Sequence, residues 1–182
     1  MKFTKTPLES SYLINLDPIA DERGFFSRLF CENEFSKHNL NTHWVQINNS
    51  FSIEKSTLRG LHFQYPPNAE VKLVRCIKGS IFDVIVDIRK SSNTFGKWFG
   101  AILDETNRTM MYIPKGFAHG FISLEPNSEI LYFVSEFYSK ENEETILWND
   151  PNIDIKWPIK PIILSDKDSK AKRLNQILPI TI

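Results

Sequence analysis

Cysteine is nearly absent from this chain: Cys31 and Cys76 are the only two in 182 residues. They form no Cys-x-x-Cys pair, so no disulfide framework is expected and both read as small, at least partly buried side chains. Net charge is absent as well, because 22 Lys and Arg balance 22 Asp and Glu. No overall field recruits nucleic acid or an anionic membrane, and affinity for an anion must come from a local cluster. Nowhere do roughly eighteen apolar residues run together, and the stretch Met1 to Pro7 leads into no apolar h-region, so a soluble, cytoplasmic protein is expected. Internal repeats and low-complexity tracts are missing, and the length fits one domain over 1–182. Helical signals are weak. Glu32 to Leu40 is one candidate and Ser169 to Ile177 another, with Ser165-Asp166-Lys167-Asp168 able to open the second.

What the chain does contain is a succession of short β-branched and aromatic runs between about Val45 and Tyr138. These are Val71 to Ile77, Ile81 to Ile88, Trp98 to Leu103, Met110 to Ile113, Phe117 to Leu124 and Ile130 to Tyr138. Their spacing and the turns between them predict antiparallel all-β structure, a sandwich or barrel. Lys78-Gly79-Ser80 and Pro126-Asn127-Ser128 read as hairpin connections. From Trp148 onward, Pro151, Pro158 and Pro161 suggest an irregular strap across the barrel.

Two segments carry chemistry. Arg59-Gly60-Leu61-His62-Phe63-Gln64 precedes Lys72, and Pro114-Lys115-Gly116-Phe117-Ala118-His119-Gly120-Phe121 supplies a second histidine. Period-two alternation puts Lys72, Val74 and Cys76 on one strand face, so the cation is either solvated or aimed into a barrel lumen, and the nearby His62 favours the lumen. Partial desolvation would strengthen its pull on negative charge. His62, set between turn signals and flanked by Arg59 and Lys72, is the natural proton acceptor near neutral pH. Tyr132, Val134, Glu136 and Tyr138 read as one strand face, with the two tyrosines roughly 20 Å apart in extended chain. Each phenol can donate a proton or stack on a flat heterocycle. His38 and His43 lie in a polar stretch and read as solvated.

A metal site is the competing reading. Gly60-x-His62-x-Gln64, then Glu70 and Gly79, followed by Pro114-x-Gly116-x-x-His119, resembles the two motifs of metal-binding cupins. Gln64, however, replaces the usual second histidine. His62, His119 and one carboxylate make a poor ligand set, so no metal or other cofactor is expected.

Further motifs extend along almost the whole chain. They are Asp21-Glu22-Arg23-Gly24-Phe25-Phe26, Gln46-x-Asn48-x-Ser50-x-Ser52, Leu58 to Gln64, Lys72 to Cys76, Phe82-Asp83-Val84-x-Val86-Asp87-x-Arg89, Ile113 to Phe121 and Leu164-Ser165-x-Lys167-Asp168. In this order they resemble the dTDP-4-dehydrorhamnose 3,5-epimerase family. The resemblance implies a cupin jelly roll, a double-stranded β-helix with short peripheral helices, working without metal as a homodimer. The implied substrate is a nucleotide-linked 4-keto-6-deoxyhexose, inverted at C3 and C5. It implies His62 as base, Tyr132 as proton donor, Lys72 as stabiliser of the enolate oxygen and Asp168 as the carboxylate orienting His62. Arg59, His119, Glu143 and Lys167 match ligand-holding positions, and Arg23 matches one that reaches across the dimer interface. Gln46 and Asn48 fall where the nucleoside is contacted, and Tyr138 where a ring stacks on the base.

The chain departs from the family at Arg28, where a nucleotide-side carboxylate is usual. A carboxylate accepts from the N3–H of thymine, whereas Arg only donates. Either the base preference differs from thymine, or Arg28 faces solvent or pairs with another carboxylate. Two other functions stay open at this point, an epimerase inverting one carbon or using another sugar nucleotide, and a cupin that binds a sugar nucleotide without turning it over.

Overall fold

Alternation of inward and outward side chains is the rule through the strands, as in Gln46 to Ser52, where even-numbered residues are covered and odd-numbered ones exposed. The computed structural model describes residues 1–182. In chain order it contains β1 (Lys2–Lys5), β2 (Tyr12–Asn15), β3 (Ile19–Asp21), β4 (Gly24–Phe26), α1 (Glu32–Ser36), β5 (Gln46–Ser52), β6 (Leu58–Gln64) and β7 (Lys72–Lys78). There follow β8 (Ser80–Asp87), β9 (Trp98–Asp104), β10 (Thr109–Ile113), β11 (Phe117–Ser123), β12 (Ser128–Val134), β13 (Glu143–Thr145) and α2 (Asp166–Ser169), then a 3-10 turn over Leu174–Gln176.

One sheet has the order β1-β2-β10-β7-β12-β5 and the second β13-β6-β11-β8-β9, and β3 and β4 form a separate hairpin. Pairing between these strands is antiparallel, which makes the architecture a cupin jelly roll, and only isolated bridges to the C-terminal strap, such as Thr57 to Ile163, are parallel. Val74, Cys76, Ile85, Phe117, Phe121 and Ile130 fill the space between the sheets. The outer face of the first sheet is covered by the α1 region, where Phe35 and Leu40 pack on Ile14, Leu73 and Tyr112. On the outer face of the second, Ile153, Ile155, Leu174, Ile177 and Ile180 from the strap pack on Leu61, Phe63, Val84 and Val86. Both sheets are thus apolar on two sides, which is why β10 and β11 are buried at every position.

Several expectations need correction. Gly79 and Pro126-Asn127-Ser128 do not close hairpins: β7 and β12 lie in the first sheet, β8 and β11 in the second, so both turns are corners between sheets. The corners are stitched together, with Ser80 N donating to Ser128 Oγ at 3.3 Å and Ser128 Oγ donating to Ser80 O at 3.1 Å. A Cβ on Gly79 would sit 2.7 Å from Ser128 Oγ, and its φ of +70° is one that favours glycine. The expected strand from Ile130 to Tyr138 stops at Val134, so Glu136 and Tyr138 do not share a strand face with Tyr132. The chain bends away because Ser135 turns to Val71, with Val71 N donating to Ser135 Oγ at 2.8 Å.

The expected helix from Ser169 to Ile177 is also absent. Ser165 instead caps the four-residue α2, its Oγ accepting from Asp168 N at 3.1 Å. The chain beyond is held flat, with Leu147 N bonded to Lys172 O and Leu174 N to Asp150 Oδ2. Strands β1 to β6 and β13 extend the β-structure beyond the runs read from sequence. No helix is long and apolar enough to cross a membrane.

Candidate active site

A cleft lies between side chains of the two sheets. A hollow of about 480 Å³ is lined by Arg59, His62, Lys72, His119, Tyr132, Lys167 and Asp168 among others. A second of about 220 Å³ is lined by Gln46, Asn48, Tyr138 and Glu143, and it shares His62, Lys72 and Tyr132 with the first. Those three side chains therefore stand at the waist of the cleft. Their strands decide their geometry: His62 projects from β6 in the second sheet, Lys72 and Tyr132 from β7 and β12 in the first. A proton acceptor and a phenol accordingly face the same space from opposite walls.

His62 is oriented from behind. Its Nε2 lies 2.7 Å from Asp168 Oδ1, and the Gly60 N–H donates to the other oxygen, Oδ2, at 3.3 Å. This leaves Nδ1 as the ring nitrogen free for proton transfer. Asp168 arrives there because the strap runs beside the start of β6, with Leu58 N bonded to Ile163 O, before α2 turns the carboxylate inward. Burial works to raise the Asp168 carboxyl, but the hydrogen bonds from His62 and Gly60 and the His62 charge outweigh it and hold the group below the usual carboxylate range. Tyr132 shifts the other way. Burial, reinforced by the nearby negative charge of Glu70, raises its phenol and keeps the proton on the oxygen.

His119 sits directly across from His62 in the β6–β11 ladder. The ladder register shifts just beyond this pair, and two glycines make that possible. Gly60 has a φ of +129°, and a Cβ there would lie 2.5 Å from Gly120 Cα. His119 is itself paired, its Nε2 lying 2.7 Å from Oδ1 of the fully buried Asp83. At the rim, Lys167 Nζ contacts Glu143 Oε2 at 2.6 Å, and Tyr138 Oη donates to the same oxygen at 3.1 Å. Burial raises the Glu143 carboxyl, yet Lys167 and Tyr138 together bring it below its ordinary value.

All the sequence-derived candidates gather at this cleft except Arg23 and Arg28. Arg23 bonds Asp21 on the exposed β3–β4 hairpin. Arg28 reaches Glu34 at 3.3 Å, outside the cleft, so its guanidinium has a carboxylate of its own. Sequence reasoning missed Asp83, although an acidic residue inside the apolar run Ile81 to Ile88 was a usable signal for a buried partner. It considered Glu70 only as a metal ligand, whereas Glu70 Oε1 pairs with Lys72 Nζ at 3.0 Å. No group of three or more His, Cys, Asp or Glu side chains is arranged to hold a metal ion. Cys31 and Cys76 are both free.

A jelly roll whose inner walls carry a carboxylate-oriented histidine, a lysine and a protonated tyrosine defines a cupin-class enzyme built for proton transfer. Comparison with known proteins narrows the class. The sequence model described as dTDP-4-dehydrorhamnose 3,5-epimerase matches residues 5–176. A relative of that name from Shigella flexneri is 45% identical over 174 residues, covering 95% of this chain and 96% of its own length. The crystal structure of a dTDP-4-dehydrorhamnose 3,5-epimerase from Elizabethkingia anophelis superimposes with a TM-score of 0.92 at 41% identity, covering 96% of this chain and 97% of that one. A Legionella pneumophila dTDP-6-deoxy-D-glucose-3,5-epimerase, solved in complex with dTDP-4-keto-L-rhamnose, gives a TM-score of 0.92 at 39% identity, with coverage of 97% and 94%. This chain belongs to the dTDP-4-dehydrorhamnose 3,5-epimerase family, and it is an isomerase acting on a nucleotide sugar.

Proposed function

We propose that the chain converts dTDP-4-dehydro-6-deoxy-D-glucose to dTDP-4-dehydro-L-rhamnose by inverting C3 and C5. The observation that carries this reading is the placement of His62 and Tyr132 on opposite sheets facing one cleft. The C4 ketone acidifies the hydrogens on C3 and C5. His62 Nδ1 takes one of them as a proton, and Asp168 steadies the imidazolium that forms. The electron pair moves onto the C4 oxygen, where the Lys72 ammonium supplies an oxyanion-type contact. Tyr132 returns a proton to the opposite face of the carbon, which inverts it. Imidazolium and phenolate then re-equilibrate with solvent, ready for the second carbon.

Arg59 and Lys167 supply positive charge for the diphosphate, with Lys167 leaving its contact with Glu143 to do so. His119 and Glu143 hold the sugar-phosphate portion, and Gln46, Asn48 and Tyr138 take the nucleoside. The enzyme works as a homodimer in the cytoplasm. The β3–β4 hairpin supports the dimer, since Ile19, Phe25 and Phe26 are exposed on it and a two-stranded hairpin is marginal without further packing. A second copy seated there would bring Arg23 towards a neighbouring cleft. Incubation with dTDP-4-dehydro-6-deoxy-D-glucose, followed by NMR, tests the proposal: formation of the L-rhamno product is expected, and recovery of unchanged substrate overturns it.

A further inference from the structure

Lys72 does not stand alone in the cleft. Its ammonium lies 3.0 Å from Glu70 Oε1, and the two side chains are only 10% and 11% exposed. The second oxygen of Glu70 accepts from Gln64 Nε2 at 3.3 Å. Gln64, buried at the position where a metal-binding cupin would have its second histidine, extends the chain of contacts to the loop after β12. Its Nε2 shares two hydrogens among Glu70 Oε2, Asn68 O at 3.0 Å and Phe137 O at 3.3 Å, and its Oε1 accepts from Ser139 N at 2.6 Å, so one amide brackets Tyr138 on both sides. Glu70, Gln64 and Lys72 all line the smaller hollow.

We propose that Glu70 is a positioning residue of the reaction, fixing the Lys72 ammonium towards the substrate C4 oxygen and tying it through Gln64 to the loop that carries Tyr138. The inference rests on the epimerase reading above. Lysine has a flexible stem and three rotatable donors, so a buried ammonium without a fixed partner would neither point one way nor be compensated in charge. A carboxylate suits the position because it is acceptor-only on both oxygens, and two donors converge on it. The same negative charge adds to the burial that keeps the proton on Tyr132. A purely stabilising role is a poor alternative, since a buried ion pair is a weak source of stability.

Glu70→Gln tests this with little change of shape. The amide has one acceptor oxygen for two donors, so either Lys72 or Gln64 loses its partner. The expected result is a kcat about 10- to 100-fold lower, from misplacement of the ammonium, with KM changed by less than about threefold. Binding of dTDP, measured by calorimetry, should stay near that of the unmodified chain. In a Lys72→Gln background, read by hydrogen exchange at the substrate carbons, Glu70→Gln should change the rate by less than about threefold, because the group it positions is gone. Unchanged kcat, equal losses in both backgrounds, or loss of dTDP binding in Glu70→Gln would each overturn the inference. If the unmodified chain itself neither turns over nor exchanges hydrogen, the epimerase reading falls and takes this inference with it.

Discussion

Replacing Asp168 by Asn should disable the base without emptying the site. Asp168 accepts on both oxygens, from His62 Nε2 at 2.7 Å and from the Gly60 N–H at 3.3 Å. An amide can accept on only one of them. The backbone N–H cannot surrender its proton, whereas an imidazole can move its proton to the other nitrogen. The amide oxygen should therefore turn to Gly60, with its NH2 donating to His62 Nε2, and Nδ1 then carries the proton and cannot act as a base. Forcing the active tautomer would leave the buried Gly60 N–H unsatisfied, at about 1–3 kcal/mol. The lost hydrogen bond between carboxylate and imidazolium adds about 1.5–3 kcal/mol in the transition state. Together these correspond to a fall in kcat of roughly two to four orders of magnitude. The assay is turnover of the 4-keto substrate, with dTDP affinity as the control, expected to change little. A kcat within about tenfold of the unmodified chain would refute the assignment of Asp168 as the orienting group.

His62→Ala should abolish hydrogen exchange at the substrate carbons while dTDP still binds by calorimetry; lost binding would make His62 an anchor instead of the base. In Tyr132→Phe, exchange should outlast correct inversion, and unchanged formation of the L-rhamno product would remove Tyr132 from the mechanism. The Asp168 and Glu143 carboxyls sit below their ordinary values, so the stability they contribute is complete above the usual carboxylate range and is lost as pH falls through the lowered folded values. Denaturant unfolding across acid pH should accordingly show a shallower decline for Asp168→Asn than for the unmodified chain, and parallel curves would contradict the linkage. Gly60→Ala would place a Cβ 2.5 Å from Gly120 Cα at a φ of +129°. The combined strain and overpacking should cost about 2–5 kcal/mol, visible as a lowered Tm. With Arg28 held by Glu34, dTDP should bind about tenfold or more tightly than CDP or GDP; the reverse order would make Arg28 the reader of a different base.

Much of the fold was legible because short alternating runs announce strands; period two set Lys72 on one face with Val74 and Cys76, and its inward aim was read from the nearby His62. Turn chemistry was less informative. Gly79-Ser80 declares that the chain reverses but not which sheet the next strand joins, and that depends on Ser128, far along the sequence. Likewise nothing local marks Val134 as a strand end, because the bend answers to Val71, and the Gln64 amide holds the loop beyond it. His62 and His119 were found from their own surroundings. Asp168 entered only through family resemblance, being 106 residues from the histidine it orients. Asp83 and the true partner of Glu70 are properties of register and proximity between strands, which composition does not express.

The central claim is that one cleft removes and returns protons at two carbons from opposite walls. Turnover of dTDP-4-dehydro-6-deoxy-D-glucose in D2O, read by NMR, tests it most directly. The account predicts solvent deuterium at both C3 and C5 of the L-rhamno product. Deuterium at one carbon would contradict the double inversion, and deuterium at neither would contradict proton transfer itself.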